Sequence, residues 1–241
     1  MAEELVVKDR DGVRLIVMNR PAKRNALNTD LTRALLNALE AADDDAAIGA
    51  VVLTGAGSGF CAGADLAEFK DLTPANAHMV EARARLTANL HGIFPLMRKP
   101  VVTAINGAAM GGGAGLALAG DMAVMAETAK LGYPEVSHGI VAAVVMTNLT
   151  RQVGRKAAFE LVALGEPMVS LRALELGMVN RVVRDEDVVK EAVAIAEKLA
   201  GMSRPAMALT KRLFHQVAEL PFAEALDKGR EANEAMRAFG K

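Results

Sequence analysis

The sequence predicts an α/β fold, with strands and helices alternating through the first half and helices dominating the second. Three observations carry this. The short apolar runs 50–53 and 101–105 read as strands buried on both faces, and each leads through a glycine-rich turn toward a helix. After about residue 140 the apolar positions recur at helical spacing. Three of those helical stretches end at glycine, at Gly154, Gly165 and Gly177, where a left-handed residue closes a helix.

Taken in order, residues 5–7 and 13–18 read as a hairpin around the Asp11-Gly12 turn, ended by Asn19-Arg20-Pro21. Residues 29–42 form a helix, because Leu31, Ala34, Leu35, Ala38 and Leu39 share one face. Asn28 or Thr29 caps it by accepting an unpaired backbone N–H. After the strand at 50–53, a helix begins near Asp65, whose carboxylate suits the positive end of a helix dipole. Pro74 opens a longer helix through about Met97, and Lys99-Pro100 stops it. A strand at 101–105, a short helix at 113–119 and a strand at 122–125 follow. Helices are expected at 144–153, 156–164 and 171–176, a last strand at 179–183, and helices at 187–200, 205–217 and 222–239.

Composition narrows the function classes. The 241 residues suffice for a sizeable core. The formal net charge of −1 lacks the basic excess of a nucleic-acid binder. The single cysteine, Cys61, excludes a disulfide within the chain and a cysteine metal cluster. Residues 1–14 are charged and lack the apolar core of a signal peptide. The longest apolar-rich stretch, 101–125, is interrupted by glycines and Asp121, too broken for a spanning helix. The expectation is a cytoplasmic protein without membrane or nucleic-acid partners.

Chemistry concentrates in two turns. One runs from Gly55 through Gly57, Gly59 and Gly63 to Leu66, and the other from Asn106 through Gly111, Gly112 and Gly113 to Gly115. Both leave a buried strand and enter a helix, whose first N–H groups have no backbone partner. Small residues let a ligand reach those donors. Two such ends facing each other would aim two N–H groups at one oxygen, an oxyanion hole. A dinucleotide fingerprint fails because Phe60 stands where the third glycine belongs, and neither turn has the Lys-Ser/Thr of a phosphate loop. Glu135, after Gly132-Tyr133-Pro134 and among apolar neighbours, is a candidate general acid/base with a raised pKa. No histidine pair has metal-ligand spacing, so no metal is expected.

These segments, with Asn19 to Asn28, Lys99 to Gly107, Gly120-Asp121 and Gly177 to Asn180, resemble the crotonase family, the enoyl-CoA hydratase/isomerase group, almost end to end. The resemblance implies a spiral of stacked β-β-α turns over residues 1–185. It implies a helical region over 186–241 that builds homotrimers or pairs of trimers. It also implies an acyl-CoA thioester substrate and no cofactor beyond its CoA moiety. By position, the thioester oxygen sits between the N–H groups of Ala64 and Gly112, with Gly111 beside them. Arg24, Ala26 and Leu27 line the adenine and pantetheine path with Ala62, Ala64, Asp65 and Leu66, and Arg24 meets a CoA phosphate. Glu135 takes the place of one family acid/base.

The second family acid falls at Gly115, so this chain has one carboxylate where hydratases have two. A lone carboxylate suits a 1,3-proton shift, and Glu68 or His138 could stand in for the missing acid. Hydrolase, dehalogenase, lyase and non-catalytic CoA-binding readings stay open. Residues 139–146 lack the Pro-Gly-rich turn common in hydratases, which implies a different acyl-pocket wall. His78 and His91 lie on the helix that walls the acyl site in the family, although a lone histidine is more often structural. The chain stops at Phe239-Gly240-Lys241, where similar proteins run on with a basic tail, so the CoA contact that the resemblance gives to such a tail, donated by a neighbouring subunit, stays open.

Overall fold

The computed structural model describes residues 3–239, which leaves Gly240 and Lys241 outside the described residues. Strand β1 (Leu5–Arg10) turns at Asp11 and Gly12 and pairs antiparallel with β2 (Val13–Met18), Leu5 opposite Met18. Helix α1 (Thr29–Asp44) buries Leu31, Leu35 and Leu39 on its predicted face. The Asn28 side chain caps it, accepting from the Leu31 N–H at 2.8 Å. Strands β3 (Ala50–Gly55) and β5 (Val101–Ile105) are buried at every position, and their two threonines, Thr54 and Thr103, satisfy their hydroxyls on backbone carbonyls. With β7 (Met122–Ala126) and β10 (Arg181–Val183) they form a six-stranded sheet in the order β1-β2-β3-β5-β7-β10, parallel beyond the first pair.

A second sheet escapes the sequence reading. Strands β4 (Gly59–Cys61), β6 (Ala108–Met110), β8 (Lys130–Gly132) and β9 (Met168–Val169) form it in that order. At two or three residues each they are too short to show a period. Each of β3, β5 and β7 is followed at once by a strand of this second sheet. The chain therefore climbs as stacked strand–strand turns, in agreement with the spiral that the resemblance implies.

Two helix expectations are corrected. After Asp65 the chain makes only a 3₁₀ turn, Leu66–Lys70, which Asp65 caps through the Ala67 N–H. None of its residues is buried, so no apolar face is available to extend it into an α-helix. The helix opened by Pro74 begins as a 3₁₀ turn and becomes α2 (Ala77–Gly92), ending five residues before Met97. Phe94 and Met97 instead bury themselves in the turn leading back to β5.

Helices α3 (Gly112–Ala119), α4 (Met146–Val153), α5 (Arg155–Leu164) and α6 (Ser170–Glu175) follow. Helix α7 (Val188–Ala200) lies on β3, β5 and β7 and buries Val188, Ala192, Ile195 and Ala196 in the main core. Helices α8 (Arg204–Val217) and α9 (Phe222–Ala235) pack on each other and leave Phe214, Phe222 and Leu226 exposed. An ion pair with a buried lysine holds α8 to the core: Lys211 Nζ lies 2.7 Å from Asp121 Oδ2 and donates to the Lys99 carbonyl at 2.9 Å. Among the described residues no helix is long and apolar enough to cross a membrane.

Candidate active site

The exits of β4 and β6 meet. The Leu27 N–H donates to the Gly63 carbonyl at 2.7 Å, and the Asp65 N–H donates to the Leu27 carbonyl at 3.1 Å. This single parallel bridge, Leu27 with Ala64, leaves the Ala64 N–H between two used groups and itself without an acceptor among the described residues. Opposite stands Gly112, the first residue of α3, whose N–H has no acceptor among the described residues. An ideal Cβ on Gly63 would lie 3.3 Å from the Gly112 nitrogen and 2.7 Å from the Met110 carbonyl oxygen. One on Gly112 would lie 3.9 Å from the Ala64 nitrogen. The two N–H groups therefore border one opening, with Ala64 exposed and Gly112 partly exposed. Such an opening can hold an oxyanion.

Glu135 packs beside Gly111, next to this opening. It lies in the 3₁₀ turn Pro134–His138 after β8 and is 9% exposed. An ideal Cβ on Gly111 would stand only 2.8 Å from its Oε1. Gly111 also has φ 51°, so glycine is required there for the backbone and for the carboxyl alike. Glu135 Oε2 is buried with no hydrogen-bond partner. Burial pushes the Glu135 pKa up; its own backbone N–H and nearby His138 pull it partly back. The Tyr133 hydroxyl is also buried and unpartnered, and burial, then the Glu135 charge, holds that phenol protonated.

The remaining predicted residues divide in two. Arg24, Ala62, Ala64 and Leu66 are exposed and can face a ligand, while Ala26 and Leu27 are buried beneath them. The Asp65 carboxylate is taken by Arg20 Nη2 at 2.9 Å and the Ala67 N–H at 3.2 Å. Burial would raise its pKa, but those hydrogen bonds leave it lowered. The buried Asn25 amide, donating to the Ala56, Gly59 and Phe60 carbonyls, ties the 24–28 loop to β4. Cys61 is buried and its thiol is pushed up to about 12 by burial, so it is not a poised nucleophile.

Neither stand-in for a second acid is free in the same way. Glu68 accepts from the Thr29 N–H at 2.9 Å and the Thr29 hydroxyl at 3.2 Å, with Arg83 at 3.5 Å. His138 is exposed at the far end of the Glu135 turn. At Gly115 the space for a side chain is already filled. An ideal Cβ there would be 2.2 Å from Val145 Cγ1 and 2.8 Å from His91 Cε1.

The sequence reading missed Arg83, which donates to the Leu27 carbonyl at 2.8 Å and so supports the Ala64 side of the opening. The signal was in α2. Its inward residues are Arg83, Leu86, Thr87, Leu90 and His91, a helical face that mixes polar and apolar types. His91 is buried, its Nε2 has no partner, and burial with the Arg83 charge lowers its pKa to about 4.

Comparison with known proteins shows the family. The family model described as enoyl-CoA hydratase/isomerase matches residues 8–238. A Thermus thermophilus protein, assigned by name to the enoyl-CoA hydratases, is 41% identical over 212 residues, 87% of this chain and 83% of its own length. The crystal structure of enoyl-CoA hydratase from Mycobacterium smegmatis superposes with a TM-score of 0.92 at 30% identity, covering 98% of this chain and 91% of that one. The enoyl-CoA hydratase from Bacillus anthracis gives 0.91 at 31%, covering 96% and 90%. The chain belongs to the enoyl-CoA hydratase/isomerase family, within the crotonase superfamily.

Proposed function

We propose that the protein acts on an enoyl-CoA thioester through an enolate, with the Ala64 and Gly112 N–H groups holding the thioester oxygen and Glu135 as the single acid/base. The observation that carries this reading is the convergence of the two unused N–H groups with the Glu135 carboxyl, which rests against Gly111. Hydrogen bonds to the oxygen stabilise negative charge there and acidify the α-carbon. The raised pKa makes Glu135 a base strong enough to take that proton and an acid able to return it. Starting from a 3-enoyl-CoA, the Cα–H bond breaks, its proton passes to the carboxylate, and its electrons move into a dienolate. The same proton is then delivered to Cγ, which leaves a 2-enoyl-CoA.

One carboxylate completes that shift, and the filled space at Gly115 favours it over hydration. Hydration is the second reading, favoured by the names of the relatives. Arg24, Ala62 and Leu66, exposed beside the opening, support the predicted CoA path. The apolar residues left exposed on α8 and α9 support a homotrimer or homohexamer.

Replacing Glu135 by Gln, followed by assay of 3-enoyl to 2-enoyl isomerisation and of 2-enoyl hydration, tests the reading. A loss of about 10²–10⁴-fold in kcat is expected for whichever reaction the enzyme runs, since that is the usual worth of a positioned acid/base. Unchanged turnover in both assays would remove Glu135 from the mechanism.

A further inference from the structure

Of the four buried side-chain atoms without a hydrogen-bond partner among the described residues, Tyr133 Oη and Glu135 Oε2 lie on the segment after β8, and a third, His91 Nε2, lies on α2. Glu135 is accounted for by the proton transfer proposed above. His91 is not, and its position is specific. Glu135 packs against Gly111 and His91 against Gly115. Gly111 is the residue just before α3, and its carbonyl accepts from the Gly115 N–H at 3.0 Å, so one helical turn joins the two positions. The carboxyl and the imidazole therefore border the same stretch of α3, one turn from each other.

The thioester oxygen is fixed at Gly112 in this reading. From Gly112 to Gly115 the helix rises about 4.5 Å, which is the reach of roughly three or four bonds of an extended acyl chain. Counted from the carbonyl carbon, a chain running along α3 would thus bring its fourth or fifth carbon to His91. The surroundings select the kind of atom expected there. The imidazole has no protein partner at Nε2, and Arg83 lies two turns earlier on the same inward face of α2. Together they favour an oxygen that accepts a hydrogen bond. An alkyl tail would leave the nitrogen unpaired.

We propose that this site accepts acyl-CoA thioesters whose chain carries an acceptor oxygen, keto or carboxylate, beyond the reacting carbons, and that His91 Nε2 donates to that oxygen. The inference rests on the thioester reading above. Val145 covers the same point from the other side, so the acyl tail reaches Nε2 by displacing the Val145 side chain.

Calorimetric titration with three six-carbon ligands tests this: hexanoyl-CoA, 5-oxohexanoyl-CoA and adipyl-CoA. The expected result is that at least one oxygenated ligand binds about tenfold or more tightly than hexanoyl-CoA. The keto and carboxylate arms then show which oxygen is preferred. In His91→Phe the preference disappears while hexanoyl-CoA binding stays within about twofold. A ¹⁵N shift of the His91 Nε2 resonance on adding the preferred ligand reports the contact in the unaltered protein, whether or not the variant folds. Equal or tighter binding of hexanoyl-CoA overturns the inference. So does a preference for oxygen that survives in folded His91→Phe. Failure of all three ligands to bind would instead count against the thioester site itself.

Discussion

The two walls of the opening treat polar side chains in opposite ways. On the wall built from residues 24–29 and 62–68, Asp65 is held by Arg20, Glu68 by Thr29 and Arg83, and Asn25 by three carbonyls. On the wall built from residues 133–145 and the end of α2, Tyr133, Glu135 and His91 each bury an atom with no partner. The side chains of the first wall fix backbone, and in the proposed reading what that wall offers a ligand is the Ala64 N–H. The second keeps side chains unpaired at a cost in stability, the usual mark of groups reserved for a ligand or a reaction. Two glutamates in one small region thus differ in their partners: Glu68 is hydrogen-bonded, whereas Glu135 Oε2 has no partner among the described residues.

The strongest way to break this contrast is at Gly111, where the second wall rests on α3. Gly111→Ala adds a methyl 2.8 Å from Glu135 Oε1 at a residue with φ 51°. The carboxyl must move, and a displacement of about 1 Å can cost about 10²-fold in rate. We expect kcat to fall by at least that much while KM for the CoA thioester changes little. A variant with normal kcat would mean that Glu135 is not held for chemistry.

The next effect is one of pH. Burial lowers the folded His91 pKa to about 4 from an ordinary 6.5, so the unfolded chain takes its proton first. The stability contributed by the neutral, buried imidazole is therefore complete above about pH 6.5 and is lost as pH falls toward 4. It amounts to about 3 kcal/mol. Urea unfolding at pH 7 and pH 4.5 should show that loss in the parent protein and a shallower one in His91→Gln. Glu135 has the opposite sign. Its pKa is raised, so its contribution is present at low pH and lost as pH rises through the folded value.

A smaller effect is expected at Gly115. Adding a methyl by Gly115→Ala forces it against Val145 and His91 and should destabilise by about 1–3 kcal/mol. Trimming Val145 to Ala in the same chain should recover part of that loss, because the two residues meet at one point. Thermal unfolding of the two single variants and the double variant measures the coupling. Strict additivity would show that the space at Gly115 is not filled by Val145.

Much of the scaffold was readable from the chain. The buried strands β3 and β5 and the face of α1 follow from apolar runs and periodicity. The second sheet was not readable, since β4, β6, β8 and β9 have no period and exist through pairing with distant segments. At the site, glycine-rich turns at Gly63 and Gly111–Gly113 could be seen, but only the fold brings the Ala64 and Gly112 N–H groups to one opening. His91 was visible as a lone histidine. What sets it apart is a missing partner, and no sequence pattern records that. Arg83 likewise gains meaning only from the Leu27 carbonyl that it holds.

The smallest predicted effect separates the two glutamates most cleanly. Glu68→Gln keeps the size of the side chain and an oxygen able to accept from the Thr29 N–H, while it removes the charge facing Arg83. That contact is long, 3.5 Å, and the Glu68 side chain is one-third exposed, so solvent already screens much of the attraction. The stability loss should be about 1 kcal/mol or less. The Arg83 bond to the Leu27 carbonyl does not depend on that charge, so the Ala64 N–H should keep its place and kcat should stay within about twofold. Denaturant melts and steady-state kinetics on one preparation decide the matter. A large fall in kcat with unchanged stability would make Glu68 a second acid and erase the distinction between the walls. The expected pairing, slight destabilisation with nearly full turnover, assigns Glu68 to the scaffold and leaves the proton transfer to Glu135.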